Sequence, residues 1–139
     1  MKTAWQAALF ALGLCLGAQV SAQSCPAGTI RVTAVGATLS NKTVCAVRLP
    51  DRWQEFHAAS GTLIDYKRGP ADPMDPTKTV GNWTFIDGAA GTVTYNYSGG
   101  SSYTFAVCRP QDGFGSYNFV SLTAGTINNV TLKDNQVPC

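Results

Sequence analysis

The chain reads as all-β: a single small antiparallel sandwich or barrel-like meander of about eight short strands, stapled by disulfides. Three observations carry this. Apolar and polar residues alternate with period two between Gly-, Pro- and Asn-rich breaks. Charged residues are only 13% of the chain, and Thr, Ser, Asn and Gly fill the polar positions. No apolar stripe with helical spacing runs long enough for a sizeable helix, and no solenoid-length repeat is present.

The N-terminus accounts for the cysteine count. Lys2, an apolar run from Ala7 to Ala18 and the small-residue signal Val20-Ser21-Ala22 have the layout of a cleavable secretory signal peptide over residues 1–22. The run is too short to span a bilayer, which needs roughly 20 apolar residues. No lipid-attachment pattern precedes Cys25, and Cys15 lies inside the apolar run. The expected domain is therefore 23–139, exported to the periplasm or outside the cell, with no transmembrane segment.

Of the five cysteines, Cys15 leaves with the leader, and Cys25, Cys45, Cys108 and Cys139 remain for pairing in an oxidising compartment. Four cysteines allow three pairings. Cys25–Cys45 with Cys108–Cys139 is preferred, because each would tie a chain end to a nearby strand. Cys25–Cys139 with Cys45–Cys108 is an alternative. There is no C-x-x-C pair and one His, so neither a zinc site nor any other cofactor is expected. Ten basic against eight acidic residues, with no basic stripe, argue against nucleic acid as a partner.

The first strand is expected over Ile30 to Val35 and the second over Thr43 to Arg48, ended by Pro50. Asp51 to Ala59 reads either as a short helix capped by Asp51 or as a strand from Trp53 that turns at Ala59-Ser60-Gly61 into Thr62 to Lys67. The hairpin is preferred, because everything downstream behaves that way. Residues 69–78 hold three prolines and form a stiff loop. A meander follows. Val80 to Ile86 carries Trp83. Thr92 to Tyr97 places Val93, Tyr95 and Tyr97 on one face. Tyr103 to Cys108 places Tyr103, Phe105 and Val107 together, with Cys108 opposite. Tyr117 to Leu122 and Ile127 to Leu132 are the last strands.

Gln54-Glu55-Phe56-His57, the Gly61 to Lys67 run, Asp72 to Pro76, Val80-Gly81-Asn82-Trp83 and the Thr94 to Tyr103 hairpin resemble a pattern in small, uncharacterised exported β-proteins of proteobacteria. The resemblance covers residues 54–108 and implies an exported bacterial domain. It brings no catalytic residues.

The function expected is a non-enzymatic exported β domain that binds an unknown protein, glycan or small apolar ligand. Trp53, His57, Tyr66, Trp83, Tyr95, Tyr97 and Tyr103 are the candidate binding residues, since exposed aromatic rings make a platform for sugars or apolar molecules. The competing use of the same rings is to build the core. A second reading is a small hydrolase using Glu55, His57 and Asp65, with His57 as base beside a carboxylate. Against it stands the absence of any nucleophile or phosphate-binding motif, and the plainer place for Glu55 and His57 is a solvated or interface strand. A third is a lipocalin-like carrier, whose barrel mouth would be lined by Tyr95, Tyr97 and Phe105. Asp72 and Asp75 are weak candidates for a hard cation, since the EF-hand pattern is missing.

Overall fold

The computed structural model describes residues 23–65 and 77–139. The leader, Tyr66, Asp72, Asp75 and most of the Pro-rich segment lie outside them.

The described residues form nine strands and one short helix: β1 (Thr29–Arg31), α1 (Val35–Leu39), β2 (Lys42–Arg48), β3 (Asp51–His57), β4 (Thr62–Asp65), β5 (Lys78–Ile86), β6 (Thr92–Tyr97), β7 (Ser102–Pro110), β8 (Tyr117–Ser121) and β9 (Gly125–Asp134). Each strand from β2 to β9 pairs antiparallel with the next, and β9 returns to β2 through the Lys42↔Asp134 to Cys45↔Thr131 register. The result is a closed eight-stranded up-and-down barrel, which resolves the choice between sandwich and barrel. Closure removes the unpaired strand edges that an open sheet would expose. β1 extends the ring at one end. It pairs with β7 at Arg31↔Cys108, in line with β6.

The expected hairpin from Trp53 through the 59–61 turn to Lys67 is present as far as Asp65, with Glu55↔Asp65 and His57↔Leu63 in register, and its last two residues lie outside the described ones. The first expected strand is shorter than its alternation implies. It stops at Arg31, and Val35 begins a helix instead. The reason is tertiary. The chain leaves β7 after Val32 N–H donates to the Val107 carbonyl, and the Asp87 carboxylate accepts the N–H of Gly36 at 3.0 Å. One turn of helix then drops Val35 and Leu39, both fully buried, into the core at that end of the barrel. A Cβ at Gly36 would lie 2.4 Å from the Phe85 ring, so a larger residue there displaces that half-exposed side chain.

The two ends of the barrel differ. At the end carrying α1 and the 58–61 and 87–91 turns, Leu39, Leu63, His57, Val93, Val107 and Val130 fill the interior. At the other end, the chain reverses through the β2–β3, β6–β7 and β8–β9 turns. Here the described residues leave a cavity in the interior.

The disulfide pairing is the third of the three possible sets, and corrects the preferred one. Cys25 joins Cys108 and Cys45 joins Cys139, with Cα separations of 5.7 and 5.8 Å. Neither bridge links neighbours in sequence; they span 83 and 94 residues. Cys108 and Cys45 both point to the outer face. The N-terminal segment is brought to β7 by β1. The C-terminal tail folds back beside β2, where Thr43 Oγ1 donates to the Asn135 carbonyl and accepts from the Val137 N–H. Long-range placements, β1 on β7 and the tail beside β2, decide which cysteines meet, and local spacing does not show them. Two disulfides fit an oxidising, non-cytoplasmic setting. Among the described residues, no helix is long and apolar enough to cross a membrane.

Candidate functional site

The end opposite α1 holds a cavity of about 700 Å³. Its size is that of a small-molecule site, and an eight-stranded barrel is just wide enough to hold one small ligand. The alternation of each strand supplies the lining. β2 turns Val44, Ala46 and Arg48 inward, and β3 turns Trp53 and Glu55. β4 contributes Asp65, β6 Tyr95 and Tyr97, and β7 Tyr103 and Phe105. Phe119 and Ile127 complete the wall from β8 and β9.

One lining position depends on an irregularity. Between β4 and β5 the register passes from Leu63↔Gly81 to Ile64↔Thr79, which leaves Val80 as the extra residue of a β-bulge. Bulges re-aim side chains, and Val80 lines the cavity. The next residue, Gly81, sits so close to β6 that a Cβ would lie 2.1 Å from the Asn96 carbonyl oxygen.

The polar groups are organised by Tyr97. Its hydroxyl donates to the Glu55 carboxylate, 2.9 Å from one oxygen and 3.1 Å from the other. Burial holds that phenol well above its usual pKa, and the charges of Glu55 and Asp65 push it the same way. It is therefore a donor, not a phenolate, at neutral pH. Tyr95 is likewise pushed up by burial and then by Glu55. Tyr95 and Tyr97 stack with centroids 6.4 Å apart, and Tyr103 meets Tyr97 edge-on at 6.1 Å. The Arg48 guanidinium lies 5.4 Å from the centroid of the Trp53 ring and donates to the Ala124 carbonyl at 2.5 Å.

His57 is elsewhere. It is fully buried and does not line the cavity. Nδ1 lies 3.0 Å from the Glu55 carbonyl, which can only accept, so Nδ1 carries the proton. Nε2 then accepts from the Tyr95 hydroxyl at 3.0 Å. Burial lowers the imidazole pKa to about 4, against weaker opposing pulls from the Glu55 and Lys42 backbone. Trp83 packs edge-on against His57 at 5.0 Å and donates from Nε1 to the Ala58 carbonyl.

Of the seven candidate aromatic and imidazole residues, Trp53, Tyr95, Tyr97 and Tyr103 meet around the cavity, and His57 and Trp83 pack in the filled end. Tyr66 is outside the described residues. Glu55 and His57 are buried at 6% and 0% exposure, which corrects their expected place on a solvated or interface strand. The strand order puts both inside a barrel. Glu55 and Asp65 face the cavity, whereas His57 does not line it and both its nitrogens are taken by hydrogen bonds, so the three do not converge on one open point. Sequence reasoning missed Val44, Ala46, Arg48, Phe119 and Ile127. The inward positions of alternating strands would have flagged them, had closure of the ring been known.

Among the described residues, no group of three or more His, Cys, Asp or Glu is placed to hold a metal ion. Comparison with protein-family models, with curated proteins and with solved structures finds no match for this chain.

Proposed function

We propose that this protein is an exported binding protein that takes one small amphipathic molecule into the mouth of its barrel. The observation that carries the reading is the cavity of about 700 Å³ above a filled floor, lined by Tyr95, Tyr97 and Phe105 among others. A barrel built only as a scaffold fills its interior with side chains. Here small residues, Ala46 and Val44, stand where larger ones would close the space. The lipocalin-like carrier is thus the form of the binding hypothesis best supported. Export is supported by the leader-like residues 1–22 and by the two disulfides.

The hydrolase alternative has less support. It needs His57 as a base within reach of substrate, and that ring is enclosed and doubly hydrogen-bonded.

The test is titration of the oxidised protein with N-phenyl-1-naphthylamine, a neutral probe that brightens in apolar surroundings. We expect saturable, single-site binding that Ala46→Phe weakens by about tenfold or more, since a ring there occupies the space the probe needs. Absence of saturable binding, or binding indifferent to Ala46→Phe and to Ile127→Trp, would overturn the proposal.

A further inference from the structure

β8, β9 and the turn between them form one hairpin of the barrel wall, and its tip lines the cavity through Thr123, Ala124 and Ile127. That tip is fastened unequally to its two neighbours. Towards β7 the ladder runs from Cys108↔Asn118 up to Ala106↔Val120, one residue short of the end of β8. Towards β2 it stops at Cys45↔Thr131, although β2 runs on to Arg48 and β9 begins at Gly125. Among the described residues, Ala46, Val47 and Arg48 thus have ladder partners on β3 and none on β9. The cause lies in β9. Between Tyr117↔Val130 and Phe119↔Ile127, β9 carries one residue more than β8. This makes a β-bulge at Asn128-Asn129, with Asn129 at a φ of 57°, a left-handed conformation that Asn tolerates. A bulge bends its strand, and this one stands where β9 parts from β2. A groove of about 510 Å³ follows the parting on the outer side, with Val47 on one bank and Asn128, Asn129 and Thr131 on the other. Ala46 and Trp53 border both this groove and the cavity, so little separates the two. The Arg48 guanidinium crosses the parting and donates to the Ala124 carbonyl.

We propose that the β8–β9 tip is a side door to the cavity, hinged on β7 and latched by Arg48, and that the ligand enters and leaves between β2 and β9. The proposal rests on the reading of the cavity as a ligand site. Swinging the tip away from β2 breaks no ladder pair, whereas parting β2 from β3, β5 from β6 or β6 from β7 at this end breaks backbone bonds. Local opening takes the route that gives up the fewest such bonds. The pairs Val107↔Phe119 and Ala106↔Val120 lie above the bulge and keep the tip attached while it moves. Arg48 is exposed, so water competes for its bond to Ala124 and the latch is readily released.

The experiment is stopped-flow exchange of N-phenyl-1-naphthylamine on the disulfide-bonded protein. The double variant Val47→Cys, Asn128→Cys puts a thiol on each bank of the outer groove, at positions that do not line the cavity. A third disulfide between them, checked by peptide mapping, ties the free edge of the tip to β2. The control is the same variant with both new thiols capped by iodoacetamide. We expect the tied form to take up and release the dye about tenfold more slowly than the control, with dissociation constants within about twofold, because closing a path slows both directions alike. Arg48→Ala removes the latch, and there both rates rise by about threefold or more. Exchange by the tied form at the control's rates overturns the door and leaves the cavity reading standing. Where the third bridge does not form, Arg48→Ala decides, and unchanged rates overturn the door in the same way. Faster release from Arg48→Ala with unchanged uptake makes Arg48 a ligand contact and overturns its role as latch. Failure of the wild type to bind the dye overturns both the door and the cavity reading.

Discussion

His57 shows how one residue's surroundings fix its chemistry. The imidazole is enclosed by Trp83 and Tyr95, both edge-on, and its two nitrogens are assigned by the Glu55 carbonyl and the Tyr95 hydroxyl. With a folded-state pKa of about 4 against an ordinary 6.5, the unfolded chain takes up a proton that the folded chain refuses. His57's contribution to stability is thus complete above about pH 6.5 and falls as pH drops towards 4, by about 3 kcal/mol in all. As this is the only histidine in the sequence, its ring proton resonances report it alone. They should hold their neutral positions down to about pH 5; titration near pH 6.5 would contradict the buried network. Tyr95→Phe leaves Nε2 without its donor in a dry site and should destabilise the protein by about 1–3 kcal/mol in denaturant unfolding. A cost near zero would mean that Nε2 has another partner. Burial of Glu55 and His57 was not legible from the segment alone. An alternating strand states which residues share a face, and only ring closure states which face is inside.

The elements divide by how local their causes are. β6 and β7 were legible in detail, since Val93, Tyr95 and Tyr97, and then Phe105 and Val107, fall inward as their alternation requires, with Cys108 outward. α1 was not. Val35-Gly36-Ala37-Thr38-Leu39 is one turn with no side-chain cap of its own, and its start is held by Asp87, far along the chain. The bulge at Val80 has a local trace only in Gly81. That glycine lets β5 approach β6 where Tyr97 stands. Gly81→Ala places a methyl against the Asn96 carbonyl and the Tyr97 backbone, and backbone cannot swing aside as a side chain can. We expect a loss of about 1–3 kcal/mol by denaturant unfolding, together with weaker dye binding, because the forced shift moves Tyr97. A loss of stability that leaves the dye affinity untouched would separate the bulge from the site.

At the scale of the whole molecule, two separate devices hold the structure. The ring of backbone pairs shapes the cavity, and the two bridges pin the termini to its outside. Cys45 sits on the outer face of β2, with its partner Cys139 beyond the end of β9. Breaking this bridge releases a tail, not a strand of the ring. The loop it closes spans 94 residues; restricting the unfolded chain over such a span is worth at most about 4.7 kcal/mol, and bridges in general contribute about 2–4 kcal/mol. The Cys45→Ser, Cys139→Ser double variant should therefore unfold at lower denaturant, by about that free energy. Because the bridge lies outside the barrel wall, the variant's dye affinity should match that of the wild type under conditions where it remains folded. Peptide mapping of the oxidised wild type should recover Cys25 joined to Cys108 and Cys45 joined to Cys139. Finding Cys25 joined to Cys45 would contradict the β1–β7 pairing, because that bridge requires the N-terminal segment to leave β7 and lie against β2. Loss of dye binding in a folded double variant would instead mean that the C-terminal tail holds the β2–β9 seam together, so that bridge and cavity are one device and not two.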